Sequence, residues 1–543
     1  MTRTNFAAAV WFAAFAATLA PAFVSAAEPT AVDVPALRAH AEFLADDALR
    51  GRDTGSPEYA IAARYAATRF ASWGLAPGSG QSYFQMVDFA EAQVRTSSMV
   101  ARRGGRRAEL TTLEDYLLFG SLTREKAKAA GDVVFVGYGI DAPELGRRDY
   151  AGLDVRGKVV LLVKGAPKSF AADQRAHYSS NRLKAELAER QGAIGILVVR
   201  DRSEEGRIPW RRVQSYADRP RTAWVAGDGA LQDAFPGILF SAILSREGAA
   251  KLLDGTGDSI DSLLDSAERL DYRSRVLPVR LDVAYESRLS RAESPNVAAI
   301  LPGSDPALRD EYVVVSAHLD HVGIGRAVDG DTIYNGFYDN ALGSSILLET
   351  ARVAAAAAER PRRSILFLLV TGEERGLLGS DFFAHYPTVE ASALVADVNV
   401  DMPLLLAPTA DLVAFGAEHS SLEAVVREAV AAHGFALVPD PMPEEVIFIR
   451  SDQYSFVRQG VPSIYLTTGS GTLGGGDTQA KASAAFFSEH YHQPSDESGL
   501  GTDWDSVARF TAAQADIVRA IADQAKRPTW NEGDFFGETF GRK

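Results

Sequence analysis

The sequence predicts an α/β fold in which a mostly parallel central sheet is flanked by helices. From about residue 295, near-continuous apolar strands alternate with helical segments, a pattern typical of parallel sheets that are covered on both faces. Between about residues 110 and 285, short apolar strands and glycine-rich turns indicate a β-rich module inserted into the larger domain. The hydrophobic fraction of 46% and the charged fraction of 23% are ordinary for globular proteins.

The composition excludes several kinds of site. The chain of 543 residues contains no cysteine, which excludes thiolate zinc fingers, iron–sulfur clusters, cysteine nucleophiles and disulfide scaffolds. The formal net charge is −15, and an acidic surface disfavours non-specific binding to nucleic acid. We therefore expect no nucleic-acid partner.

The first 26 residues have the pattern of a secretory signal peptide. Arg3 supplies a basic end, an apolar run extends from Phe6 to Leu19, and Val24-Ser25-Ala26 is a small-residue cleavage motif. Cleavage after Ala26 predicts a secreted or periplasmic protein with no stable membrane insertion. An uncleaved anchor is the alternative, although the run is shorter than the about 20 residues that span a bilayer.

Two helices are predicted in residues 27–114, the first part of the main domain. Apolar residues recur at helical spacing from Leu37 to Leu44, and a second helix is predicted from Glu58 to Trp73, before Gly74. Glycine and proline place residues 50–57 in a loop between the helices. The chain from there to about residue 89 is predicted to be irregular.

Residues 115–275 form the predicted insert. Buried strands are expected at 133–136, 159–163 and 194–199, and a helix is expected at 181–190. The insert has one histidine, His177, and few other candidate ligands. We therefore expect it to control access and substrate selection, with an accessory role in stability or docking as the alternative.

Residues 276–543 form the main part of the domain, where strands and helices alternate. Potential ligands follow these strands, and ligands of open α/β sheets bind beyond the carboxyl ends of the strands. The predicted strands are 312–317, 364–370, 394–400 and 463–466, and the predicted helices are 345–358 and 421–433.

Five groups of candidate ligands lie at strand ends or in loops of this part. They are His318-Leu319-Asp320-His321, Asp339-Asn340, Glu373-Glu374, Asp401 and His490-Tyr491-His492. Each group alone has an ordinary structural explanation, such as a packed histidine or a helix start rich in carboxylates. Together, three carboxylates and two imidazoles suit a pair of zinc or similar divalent ions, and one aspartate could bridge the two.

The surrounding motifs extend the pattern beyond single residues. In chain order they are 296–303 (NVAAILPG), 313–323 (VVVSAHLDHVG), 335–340 (NGFYDN), 371–380 (TGEERGLLGS), 399–402 (NVDM) and 491–494 (YHQP). This set resembles the co-catalytic dizinc exopeptidases, which include bacterial leucyl aminopeptidases, yeast vacuolar aminopeptidase Y and the glutamate carboxypeptidases. The resemblance covers most of the chain after residue 26, and the insert is similar to the protease-associated domain of many members.

The resemblance implies a zinc-exopeptidase fold of the phosphorylase/hydrolase-like type with two zinc ions per chain. His318 and Asp401 would bind one zinc ion, and Glu374 and His492 would bind the other. Asp339 would bridge the two ions. The family pattern therefore assigns one role to each of the five candidate ligands.

The resemblance also implies roles for the neighbours of the ligands. Glu373 would be the general base. Asp320 would orient His318, because the two side chains share one face if the strand continues that far. His321 and His490 are expected to contact the ligands or to line the pocket, without binding metal.

The function implied is an exported zinc-dependent peptidase that cleaves peptides at chain ends, with an aminopeptidase expected first. A carboxypeptidase or a glutaminyl-cyclase-like enzyme on the same fold is the alternative, and a non-catalytic binding protein is the alternative of another class. The sequence leaves the oligomeric state open. Phe337, Tyr338 and Leu342 are bulkier than the usual family residues, and we expect them to alter the shape of the pocket.

Overall fold

The computed structural model describes residues 1–2 and 31–542. The apolar run and the cleavage site of the predicted signal peptide lie outside the described residues. Within those two described ranges, no helix is both long and apolar enough to cross a membrane.

The described chain starts with two capped helices. The side chain of Asp33 accepts the backbone N–H of Ala36 at 3.0 Å, and the side chain of Ser56 accepts that of Tyr59 at the same distance. Both helices are confirmed, whereas a long strand lies where the sequence predicts irregular chain. The elements are α1 (Val34–Leu44), α2 (Pro57–Ser72), β1 (Ala76–Pro77) and β2 (Phe84–Arg103).

The insert contains short strands and six helices. The predicted strands at 133–136, 159–163 and 194–199 and the predicted helix at 181–190 are all confirmed to within a few residues. Strand β3 (Arg106–Leu110) precedes the insert, whose strands are β4 (Tyr116–Gly120), β5 (Lys126–Phe135), β6 (Asp141–Ala142), β7 (Arg147–Arg148), β8 (Val159–Val163), β9 (Gly195–Val199), β10 (Arg221–Trp224) and β11 (Phe240–Leu244). The helices are α3 (Ala172–Tyr178), α4 (Asn181–Arg190), α5 (Arg202–Arg207), α6 (Trp210–Ser215), α7 (Arg246–Leu253) and α8 (Ile260–Ala267).

The remaining elements alternate between strand and helix, as predicted. The strands are β12 (Arg275–Leu301), β13 (Tyr312–His318), β14 (Gly323–Val328), β15 (Asp331–Tyr334), β16 (Ser364–Val370), β17 (Leu394–Val400), β18 (Asp411–Phe415), β19 (Ala436–Val438) and β20 (Ser463–Thr468). The helices are α9 (Leu342–Ala356), α10 (Leu378–His385), α11 (Leu422–Ala432), α12 (Gln453–Val457), α13 (Thr478–Glu489), α14 (Trp504–Asp523) and α15 (Phe535–Phe540).

One sheet runs through both parts of the chain, in the order β19-β18-β20-β17-β13-β16-β12-β5-β8-β9-β11-β4. Strands β16, β13, β17 and β20 are parallel, which confirms the mostly parallel core of the main domain. Strand β12 is antiparallel to both β16 and β5, and so it connects the main sheet to the sheet of the insert. Helices α1, α2, α9 and α14 cover one face of the main sheet, and α10 and α12 cover the other.

Each part of the chain has its own apolar core. The core of the main part joins residues 37–75 to residues 297–522, and a second core fills the insert. The second core also takes Met99 and Ala101 from β2 and Leu281 and Val283 from β12, because these two strands pair along nearly their whole length. The protease-associated identity of the insert and its limits at residues 115 and 275 stay predictions.

Candidate active site

The candidate ligands meet at the carboxyl ends of the parallel strands, where such a sheet places its binding site. His318 is the last residue of β13, and Asp401 directly follows β17. Glu373 and Glu374 lie in the turn between β16 and α10. The site is therefore built on rigid strand ends.

The first cluster surrounds His318. Its Nε2 atom lies 3.1 Å from Oδ1 of Asp401 and 3.3 Å from Oδ1 of Asp339. All three side chains are buried. One imidazole and two carboxylates thus converge at one position.

The second cluster surrounds His492. Its Nε2 atom lies 3.1 Å from Oδ2 of Asp339 and 3.2 Å from Oε2 of Glu374. Asp339 therefore turns one carboxylate oxygen to each cluster. The structure brings all five predicted ligands together in the arrangement that a bridging carboxylate requires.

A third histidine also lies in this site. Nδ1 of His321 lies 2.8 Å from Oε1 of Glu374, and its ring is completely buried. Sequence reasoning places His321 either beside the ligands or in the pocket, and the structure places it beside Glu374. His490, its counterpart in that expectation, is solvent-accessible and contacts the hydroxyl of Ser495 at 2.9 Å.

Asp320 contacts its predicted partner through the main chain. The backbone carbonyl of Asp320 lies 3.1 Å from Nδ1 of His318, whereas the carboxylate accepts the backbone N–H of Glu373 at 3.2 Å and the hydroxyl of Thr54 at 3.0 Å. The expected carboxylate contact is absent because β13 ends at His318, so the two side chains no longer share one strand face. Asp320 thus fixes both His318 and the turn that carries Glu373.

The turn that presents Asp339 is held by a buried carboxylate that sequence reasoning missed. The side chain of Asp496 accepts the backbone N–H groups of Tyr338 at 2.9 Å and Asp339 at 3.1 Å. Asp496 lies only four residues after His492, so one loop supplies a ligand and also supports the bridging residue.

Arg52 is a second supporting residue that the sequence did not single out. Its fully buried guanidinium donates to the carbonyls of Leu44 at 2.7 Å, Leu319 at 2.9 Å and Gly336 at 2.9 Å. It therefore joins the loop after β13 to the loop that leads to Asp339. The glycine–proline content of residues 50–57 indicates only a loop at this point.

Phe337, Tyr338 and Leu342 do not shape the pocket in the way that the sequence suggests. All three are completely buried in the apolar core of the main part. The hydroxyl of Tyr338 contacts the hydroxyl of Thr502 at 2.6 Å. Their large side chains therefore fill the apolar core and do not line the pocket.

The surroundings of the two adjacent glutamates shift their pKa values in opposite directions. Burial raises the pKa of Glu373 well above its ordinary value, and the carboxylates of Asp401 and Glu374 act in the same direction. Burial acts in that direction on Glu374 too, but the imidazoles of His492 and His321 hold its pKa well below the ordinary value. The two adjacent glutamates therefore differ in the direction of their pKa shifts, which is upward for Glu373 and downward for Glu374.

The donor set fits zinc. Two groups, His318 with Asp339 and Asp401, and His321 with Asp339 and Glu374, each place three ligand atoms within 4.8 Å of one another. Buried imidazoles and carboxylates without cysteine are the nitrogen and oxygen ligands that zinc accepts in proteins. Oε1 of Glu374 has no hydrogen-bond partner among the described residues, and its near neighbour is Nδ1 of His321 at 2.8 Å, so the carboxylate has capacity left to bind a cation.

An open cleft of about 630 Å³ adjoins Glu374. It lies between the main part and the insert, whose residues 215 and 218–220 form one wall. The guanidinium of Arg219 lies 3.8 Å from Oε2 of Glu374. The Trp224 indole, which donates to the Asp381 carboxylate at 2.9 Å, anchors this wall to the helix after the two glutamates.

The sequence is similar to known peptidases over the part that carries the site. The profile described as Peptidase family M28 matches residues 296–518. A probable glutamate carboxypeptidase, AMP1 of Arabidopsis thaliana, is 28% identical over 50% of this chain and 38% of its own length. A probable leucine aminopeptidase 2 of Aspergillus oryzae is 24% identical over 41% of this chain and 43% of its own length, so the matches span less than half of either relative.

The fold is also similar to a solved structure. An aminopeptidase from Aneurinibacillus sp. strain AM-1 superimposes with a TM-score of 0.53 at 18% identity, over 89% of this chain and 93% of that chain. The matched profile spans all of the candidate ligands, and the similar structure supports the architecture that places them at the strand ends. Residues 296–518 of the chain are therefore similar to peptidase family M28.

Proposed function

We propose that the protein is a zinc-dependent exopeptidase that hydrolyses peptide bonds at chain ends, with an aminopeptidase as the first candidate. The observation that carries the proposal is Asp339, whose Oδ1 faces His318 and whose Oδ2 faces His492. A non-catalytic binding protein has no need of such a buried, complete ligand set. A cyclase with one metal has no need of a carboxylate shared between two clusters.

Two zinc ions are part of this proposal. His318 and Asp401 would bind one zinc ion, and Glu374 and His492 would bind the other. Asp339 would bind both ions. Bound zinc would lower the pKa of a water molecule towards neutrality and polarise the carbonyl of the scissile bond. His318, Asp339 and Asp401 are buried, so packing holds these ligands in place before any substrate arrives, and the open cleft reaches the site at Glu374.

Glu373 is the proton carrier in this proposal. Its carboxylate takes the proton of the attacking water and passes it to the nitrogen of the leaving amine. Its backbone N–H donates to Asp320 at 3.2 Å, which fixes the start of the turn. Because burial raises the pKa of Glu373, the group accepts a proton more readily than an exposed glutamate.

One observation favours a carboxypeptidase as the second candidate. Arg326 pairs with Asp218 at 2.9 Å and Arg375 with Asp53 at 2.9 Å, so these two cations of the cleft are neutralised. Arg219 has no carboxylate within hydrogen-bond distance among the described residues. A guanidinium in this position suits the free carboxylate of a peptide whose scissile bond lies at the metal ligands.

Arg219→Met tests which chain end is recognised. A hydrogen bond to a charged group contributes about 1.5–3 kcal/mol, so we expect KM to rise about 10- to 100-fold for peptides with a free carboxylate next to the scissile bond. Steady-state kinetics on a free peptide and its C-terminal amide would measure this. The exposed Arg211→Met serves as the matched control. An equal rise of KM for aminoacyl reporters that lack a carboxylate would contradict the carboxypeptidase.

We also propose that the protein is exported, on the pattern of residues 1–26. The expected result is a chain whose first residue is Ala27, and mass spectrometry of the N-terminal peptide from the expressing cell would detect it. A recovered chain that retains Phe6 to Leu19 would contradict cleavage.

A further inference from the structure

His321 lies in a fixed position beside the proposed metal site. Its ring is completely buried, and its backbone N–H donates to the carbonyl of Arg52 at 3.3 Å. The ring packs against Gly336, where a Cβ atom would lie 2.4 Å from two ring carbons. Any side chain at residue 336 would displace the ring, so the backbone itself sets the direction of the imidazole.

The two carboxylate oxygens of Glu374 have different neighbours. Oε2 lies 3.2 Å from Nε2 of His492, on the side that faces Asp339. Oε1 lies 2.8 Å from Nδ1 of His321, and neither atom forms a hydrogen bond with any described residue, so the two atoms face each other in a close polar contact. Nδ1 is 4.0 Å from the nearer oxygen of Asp339, so its close contact is with Glu374 alone.

We propose that His321 is a positioning residue for one of the two metal positions, the one formed by Glu374 and His492. The close approach of Nδ1 restricts Oε1 of Glu374, which limits rotation of the carboxylate and leaves Oε2 on the side of His492. This inference rests on the proposed function, because it concerns the same zinc site.

The proposal predicts a selective effect. His318 and Asp401 make no close contact with His321, so the other metal position keeps its ligands when His321 is changed. Substitution of a residue that contacts a metal ligand typically lowers metal affinity about 10- to 100-fold. We expect a loss of that size at one position and an unchanged affinity, within about twofold, at the other.

Zinc titration of the metal-free full-length chain against a chromophoric chelator tests this proposal. In His321→Leu one of two binding steps should weaken about 10- to 100-fold. In His321→Asn most of the affinity should return, because the amide nitrogen occupies the place of Nδ1 and donates to Oε1. His490→Asn is the matched control, since the partly exposed His490 side chain hydrogen-bonds only to Ser495 among the described residues and should leave both steps unchanged.

The same variants separate positioning from folding. We expect the metal-free forms of His321→Asn and the wild type to melt at the same temperature, as measured by circular dichroism. Two zinc steps at wild-type affinity in His321→Leu would overturn the proposal. Equal weakening of both steps, or no recovery in His321→Asn, would also overturn it, because packing alone would then explain the loss. A wild-type chain that binds no zinc would instead overturn the proposed peptidase itself.

Discussion

Glu373→Gln is expected to lower kcat by about 10²- to 10⁴-fold, the usual cost of losing a general base. Glutamine keeps the size and shape of the side chain, but its amide cannot take up the proton of the attacking water. The backbone contact between Glu373 and Asp320 does not involve the substituted group. The ligands of both metal positions are also unchanged, so the zinc content should stay at the wild-type value.

Two measurements check this result together: kcat at saturating peptide and the zinc content of the same preparation. Glu390→Gln is a suitable control, because Glu390 is an exposed residue far along the chain from the strand-end turn. Full activity in Glu373→Gln would show that another group carries the proton. Loss of zinc would show that Glu373 is a ligand, contrary to its proposed role.

The strand-end ligands could be predicted from the sequence for a physical reason. Strands β13, β16 and β17 are short apolar runs buried on both faces, so their limits are clear in the sequence, and polar residues directly after them must share one edge. His492 follows a helix and lies in a loop, so strand position could not predict it. It was identified through the resemblance of the YHQP segment to the family.

The supporting contacts could not be predicted, because they join residues that are distant in sequence. Arg52 reaches the carbonyl of Leu319 across 267 positions, and it binds backbone atoms that carry no residue-specific signal. The carboxylate of Asp496 likewise binds backbone N–H groups. Burial of a charged side chain against main-chain atoms is visible only once the fold is known.

The continuous sheet was missed for a different reason. Strands β2 and β12 each pack against two apolar cores, one at each end of the strand. The buried side chains therefore switch from one face of the strand to the other along its length, and one alternating apolar–polar pattern does not describe the whole strand. The register shift near Glu286 adds to this interruption. The same two strands and the Trp224–Asp381 contact bring Arg219 to the site, which explains why a module without a proposed ligand still lines the cleft.

Removal of metal is expected to abolish activity, and zinc is expected to restore it. Without a cation, Asp339, Glu374 and Asp401 crowd negative charge around His318, His321 and His492, and the zinc that would polarise the scissile carbonyl is gone. Ligand binding to the folded state also stabilises it, by about 2.7 kcal/mol at a free zinc concentration of 100 times Kd. Activity and melting temperature should therefore fall together on dialysis against a chelator and recover together on titration with zinc.

Glu374→Gln is the matched variant that ties this loss to the site. The substitution removes the charge of a ligand that is adjacent in sequence to the proposed base. The metal position formed by Glu374 and His492 should therefore lose its zinc ion, whereas the metal position formed by His318 and Asp401 should keep its zinc ion. Glu373→Gln should show the reverse, with full zinc and little turnover. The opposite pattern would mean that the roles of the two adjacent glutamates are exchanged. Unchanged turnover after thorough metal removal would rule out the metallopeptidase, because turnover would then depend on side chains alone, such as Arg219 at 3.8 Å from Glu374.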